Sequence, residues 1–164
     1  MVAKPILQIK DLAIKFQSTD FTFQAVHNAS FTVTQGSCKA LVGESGSGKT
    51  LTALSIMQLL PESALISKKS KVLWHGNDLL NHSESQMCAI RGGHIGMIFQ
   101  DAMSAFNPVY TIGQQLSEVI YKHQQIPRRS AQKIMVATLE EVGMKNPLLC
   151  LKLYPHQLSG GMRQ

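Results

Sequence analysis

Eight consecutive residues, Gly43-Glu44-Ser45-Gly46-Ser47-Gly48-Lys49-Thr50, have the types and spacing to grip polyphosphate. They fit the G-x-x-x-x-G-K-[ST] pattern of a phosphate-binding P-loop. A polyphosphate is held by many backbone N–H groups at once, so the chain must wrap closely around it. Gly43, Gly46 and Gly48 permit that approach and any positive φ it demands. Lys49 offers a compact positive charge to the outer phosphates, and Thr50 a hydroxyl to a Mg²⁺ ion. A helix following the loop would aim its first N–H groups and the positive end of its dipole at the same anion.

The flanking elements must present this loop. Cys38–Val42 is short and mostly apolar and reads as a buried strand leading into it. Leu51–Leu60 reads as the helix leading out, stopped by Pro61. Upstream, Ile6, Leu7, Ile9, Leu12, Ile14 and Phe16, then Phe21, Phe23, Val26, Phe31 and Val33, partly alternate with polar residues. They predict short strands of an antiparallel β layer, with turns at Asn28 and Gly36 and aromatics mainly in the core.

Downstream, Pro61 to Lys71 reads as a polar, basic loop, and Lys71–His75 as a strand closed by a Gly76-Asn77 turn. Ser83-x-x-Gln86 is a capping-box pattern opening a helix through Ile90. The apolar run His94–Phe99, bounded by glycines, predicts another buried strand, followed by a loop from Gln100 to Pro108. A second capping box, Thr111-x-x-Gln114, starts a helix with Ile112, Leu116, Val119 and Ile120 on its apolar face. Ser130 is placed to cap a further helix with Ala131, Met135, Leu139 and Val142 on one face and Gly143 at its end.

Bulk properties narrow the class. At 164 residues, 44% apolar and 16% charged, the chain can form a core and is not disordered. No apolar run has the length of a bilayer-crossing helix. The formal charge of +6 is spread out, and the pairs Lys68-Lys69 and Arg128-Arg129 lack interleaved aromatics, so a solvated basic surface is expected and no nucleic-acid partner. Cys38, Cys88 and Cys150 form no C-x-x-C pair and read as reduced core residues. The six histidines show no zinc-ligand spacing.

Two further stretches give the loop a family. Met97-Ile98-Phe99-Gln100-Asp101 puts a glutamine at the end of an apolar run, and Leu158-Ser159-Gly160-Gly161-Met162-Arg163-Gln164 resembles the L-S-G-G-x-x-Q signature of ABC transporter ATP-binding subunits. Order and spacing agree over the whole chain. The wording of Gln100–Pro108 and of Tyr154–Gln164 is similar to the dipeptide, oligopeptide and nickel importers. The fold implied is α/β: a P-loop NTPase (RecA-like) core with an N-terminal antiparallel β layer and a helical subdomain. Residues 1–100 would hold the β layer and part of the core, and 101–164 the Q-loop and helical subdomain.

That resemblance also implies roles. Gly43, Glu44, Ser45, Gly46, Ser47, Gly48, Lys49 and Thr50 would be the Walker A loop for ATP, with Thr50 on Mg²⁺. Phe16 would stack on adenine; Phe21 or Phe23 is the alternative, and all three could equally be core. Gln100 would be the Q-loop glutamine, touching Mg²⁺ and the attacking water. Ser159, Gly160 and Gly161 would contact ATP held by a second ABC subunit in a head-to-tail dimer. Transmembrane permease subunits, and through them a substrate-binding protein, would complete the importer at the cytoplasmic face of the membrane.

The chain departs from the family pattern after the signature. Its four Asp and six Glu include no Asp-Glu pair, so a Walker B carboxylate set cannot be assigned, nor a switch histidine. Hydrolysis by the 164-residue chain is therefore expected to be negligible, and its sheet incomplete, with an open edge and marginal stability. A fragment, a truncated product and half of a split protein all fit. A degenerate nucleotide-binding module without transport function is the second reading. A GTPase or small-molecule kinase would need an N-K-x-D or an arginine-rich lid, and neither is present.

Overall fold

The computed structural model describes residues 4–17, 21–101, 105–124 and 126–164. It divides into two compact units, Met1–Ile95 and Gly96–Gln164.

The first unit is built on two long strands, β1 (Pro5–Gln17) and β2 (Thr22–Thr34), instead of several short ones. Strands β3 (Ala64–Ile66), β4 (Lys71–Trp74) and β5 (Asn77–Asp78) complete an antiparallel sheet of order β2-β1-β4-β5, with β3 also paired to β1. β3 lies in what the sequence presents as loop. Alternation in β1 changes phase at a bulge: Ile9, Leu12 and Ile14 are all buried, although nine and twelve differ in parity. Asp11 sits there at φ 48, adding the residue that turns Leu12 inward. Buried Ser70 stitches the bulge, its hydroxyl donating to Asp11 O at 2.9 Å and accepting from Ala13 N at 3.1 Å. Asn28, expected in a turn, occupies an irregular point inside β2 at φ 47; Gly36 does sit in the turn that ends β2.

Helix α1 (Lys49–Ile56) packs Leu51 and Ile56 against Ile9, Leu12, Ile14 and Val26. It ends four residues earlier than Pro61 suggests, because Gln58 turns left-handed at φ 49. Helix α2 (Glu84–Ile90) carries the expected capping box, Ser83 and Gln86 bonding each other's backbone N–H groups. Its Met87 fills a second cluster with Val72 and Leu79.

In the second unit, α3 (Ile112–His123) has the expected Thr111–Gln114 box. Its first N–H groups are also satisfied by neighbouring backbone: Ile112 donates to Leu153 O and Gly113 to Leu151 O, both at 2.9 Å. Helix α4 (Arg128–Glu141) is N-capped by Pro127 without a side-chain bond; Ser130 lies inside the helix, not at its cap. Gly143, at φ 83, closes it as expected. The short α5 (Pro147–Cys150) and α6 (Gly160–Arg163) follow. Ile112, Cys150 and Leu158 form the core of this unit, with Phe106, Leu116 and Leu139 around them. Burial pushes the Cys150 thiol pKa up.

Several expectations fail for one reason: an apolar run is buried only if something covers it. Cys38–Val42 is not a strand, and Val42 is 90% exposed. His94–Phe99 likewise has no strand beyond an isolated bridge at Ile95, and Ile98 is 91% exposed. No described strand hydrogen-bonds to either segment. Val119 and Val142 face solvent at the edges of their helical stripes, Phe21 and Phe23 are exposed, and of the three cysteines Cys150 alone is in the core.

Gly113 provides a test of the α3 docking. A Cβ there would lie 2.7 Å from Leu151 O, a backbone atom that cannot swing aside. Ala favours helix by about 1 kcal/mol over Gly. The clash reverses that sign, so Gly113→Ala should lose about 1–3 kcal/mol of stability in urea denaturation. An unchanged or raised midpoint would show that the docking is loose.

Candidate phosphate-binding site

The loop 43–50 is closed on itself and pressed against the sheet. It begins with a turn, Ser47 N donating to Glu44 O at 3.2 Å. Gly46 and Gly48 both adopt positive φ, 82 and 85, which an L side chain resists. Gly48 has a second reason to be glycine: a Cβ would lie 2.6 Å from Ala25 O and 2.7 Å from Val26 Cγ2. Gly43 needs no positive φ; a Cβ there would meet Ser47 Oγ at 2.6 Å. The glycines thus divide between backbone conformation and close packing, which the spelling of the motif alone does not reveal.

Gly48 is the N-cap of α1. Among the described residues no side chain caps this helix, and its first turn has no acidic residue, which leaves its leading N–H groups open to an anion. Its carbonyl accepts from Thr52 N at 2.8 Å and from the buried Thr52 hydroxyl at 2.9 Å, fixing the helix start. Lys49 Nζ turns back into the loop, donating to Gly43 O at 2.8 Å and Glu44 O at 2.6 Å. Thr50 is exposed in the same first turn. Close-approach glycines, an uncapped helix start and one ammonium form a donor set suited to a polyphosphate.

The other end of α1 is held by a residue that belongs to no motif. Arg91 Nε donates to Met57 O at 2.8 Å and its Nη2 to Gln58 O at 3.2 Å, a cation on the negative end of the helix. The same guanidinium pairs with Glu84 in the first turn of α2 and holds that exposed carboxyl below the usual carboxylate range. Gln58 adds a bond from its side-chain amide to Leu79 O. No sequence pattern announces this clasp, since its partners are backbone carbonyls thirty-odd residues away.

Phe16 is half-buried at the far part of β1. It pairs with Phe23 in β2, and two residues away Ile14 pairs with Val26, the residue that Gly48 presses on. One strand pair therefore carries both Phe16 and the support of the loop; Phe21 and Phe23 are 64% and 57% exposed. Gln100 and Ser159–Gly161 belong to the second unit. Gln100 is exposed in irregular backbone, and Ala102, Met103 and Ser104, which share its motif, lie outside the described residues. Ser159 caps α6, its hydroxyl accepting from Met162 N at 3.3 Å, with Gly160 and Gly161 exposed behind it.

Comparison with known proteins agrees with this arrangement. Residues 26–164 match the family model described as ABC transporter. The oligopeptide transport ATP-binding protein OppD of Bacillus subtilis is 43% identical over 97% of this chain, which spans 44% of that protein. The dipeptide transport ATP-binding protein DppD of the same organism is 42% identical over 97% of this chain, here 48% of the relative. The chain thus spans about half the length of these curated relatives. Among solved structures, the dimeric bacterial ABC transporter cassette MJ0796 superposes with a TM-score of 0.81 at 19% identity, covering 96% of this chain and 65% of that one. The same cassette in a post-hydrolysis state bound to ADP and Pi gives 0.82 at 18% identity, with the same coverage. The fold is that of an ABC ATPase cassette, and with the family model matched over most of its length this chain belongs to the ABC transporter family.

Proposed function

We infer that this chain is the nucleotide-binding part of an ABC importer's ATP-binding subunit and that its cargo is peptide. The observation that carries the nucleotide reading is the closed loop at the uncapped start of α1, with Gly48 seated on Ala25–Val26 and Lys49 at its centre. The names of the relatives, which concern oligopeptides and dipeptides, support peptide over nickel.

In this reading Gly43–Thr50 enclose the phosphates of ATP, Lys49 neutralises their charge and Phe16 stacks on the base. Thr50 and Gln100 would hold Mg²⁺, which, when bound, offsets charge on the phosphate oxygens. Ser159, Gly160 and Gly161 serve nucleotide bound by a second subunit, as the dimeric cassette suggests. Residues 1–100 form the nucleotide-facing part and 101–164 the part that meets permease subunits, themselves fed by a substrate-binding protein. No described helix is long and apolar enough to cross a membrane, which suits attachment at the cytoplasmic face through those permeases.

Titration calorimetry with MgATP tests the binding. Lys49→Ala should weaken it by about 10–100-fold, the worth of a charge-assisted contact. Equal affinity in the variant would end the reading. Gly48→Ala should abolish binding and lower the melting temperature together, because its Cβ has no room at φ 85; a variant that still binds would mean that the loop does not sit on Ala25 when loaded.

The 164-residue chain has no Asp-Glu pair to position metal and water. It should therefore release phosphate from ATP no faster than Lys49→Ala does, measured by coupled phosphate detection. Turnover that the Lys49 variant abolishes would show that carboxylates elsewhere in the chain take over that work.

A further inference from the structure

An ammonium group has three N–H donors. Lys49 Nζ spends all of them on its own loop: Gly43 O at 2.8 Å, Glu44 O at 2.6 Å and Ser47 Oγ at 3.2 Å. Two of these acceptors are backbone carbonyls, present whatever the side chains. The third is the hydroxyl of Ser47, an exposed residue that contributes nothing to the core. A Cβ on Gly43 would come within 2.6 Å of Ser47 Oγ, so the hydroxyl stands where it does only because residue 43 is glycine. Gly43 thereby makes room for the hydroxyl, and the hydroxyl meets the ammonium.

We propose that Ser47 is a positioning residue for Lys49: its hydroxyl completes a three-oxygen seat that holds the ammonium within the loop, so that phosphate must compete with the loop's own oxygens for the lysine. The inference rests on the nucleotide reading above, because it concerns the same loop. Its physical content is a cost of entry. A phosphate arriving at the helix start gains an N–H of Lys49 only as one of the bonds to Gly43, Glu44 and Ser47 opens, and Ser47 is the acceptor that a substitution can remove. At Glu44 it is the backbone oxygen that accepts from Nζ, so a substitution of that side chain leaves the acceptor in place.

The test uses inorganic tripolyphosphate, which has neither base nor ribose, alongside MgATP. Wild type, Ser47→Ala, Ser47→Thr and Lys49→Ala are compared by calorimetry and by ¹⁵N-selective NMR of lysine ammonium groups, the Lys49 signal being assigned by its loss in Lys49→Ala. Removing the hydroxyl should speed proton exchange of the Lys49 ammonium with water and tighten tripolyphosphate binding by about three- to tenfold, the worth of one hydrogen bond released before binding. Ser47→Thr, which keeps a hydroxyl, should restore both. A merely structural role for Ser47 would not alter exchange at one lysine. Unchanged exchange in Ser47→Ala overturns the proposal, and so does weaker anion binding, which would mean that the hydroxyl holds phosphate instead of lysine. Unchanged affinity with faster exchange would remove the competition and overturn it as well. If wild type binds neither tripolyphosphate nor MgATP, the nucleotide reading falls, while the exchange comparison still decides whether Ser47 seats the lysine.

Discussion

Contact between Gly48 and the backbone of β2 is the constraint on which the first unit depends. The chain must leave the loop at positive φ, start a helix within one residue, and pass Ala25 O at a distance that excludes a methyl group. Only glycine meets all three conditions. Because β2 is paired along its length with β1, a displacement of Ala25–Val26 would disturb Ile14 and the cluster beneath α1. The bulge at Asp11 belongs to the same arrangement, since it brings Leu12 and Ile14 to the face on which α1 lies. Loop, helix and sheet are thus one object, and the N–H groups that open α1 are held in place by the sheet.

The second unit is organised differently. It has no sheet among its described residues, and its order comes from local capping and from backbone carbonyls that meet helix starts. Gln115 shows the economy of this: its amide accepts from Asn107 N at 2.9 Å and donates to Asn107 O at 3.0 Å and Tyr110 O at 2.9 Å, folding the segment before α3 onto the helix. Phe106 is thereby brought to the core formed by Ile112, Cys150 and Leu158. Ser159 follows directly on Leu158, so the signature starts from a buried side chain and not from a free loop.

What the sequence makes legible is what depends on neighbours in the chain. Both capping boxes, at Ser83 and Thr111, need only residues three apart, and both form as written. Gly143 ends α4 as expected, while the turn after β4 falls one residue early, at His75-Gly76 instead of Gly76-Asn77, with Asn77 already in β5. The loop 43–50 is equally local, and so is its spelling. Illegible are features whose partner is distant: Ser70 across the Asp11 bulge, Arg91 on the end of α1, Leu151 behind Gly113. The misread strands teach the complementary lesson. Leu41, Val42, Ile98 and Phe99 have the composition of a buried strand, but composition reports a preference for burial, and the partner that would fulfil it is a property of the fold.

Arg91 gives α1 an unusual mechanical standing. Eight residues make a rod about 12 Å long, too short to bend appreciably. Its leading end rests on β2 and its trailing end is clasped by a guanidinium that also grips Glu84 on α2. A rod held at both ends ties the loop to α2: the guanidinium that fixes the trailing end of α1 also binds Glu84, so the support of Gly48 at the leading end extends through one side chain to the next helix.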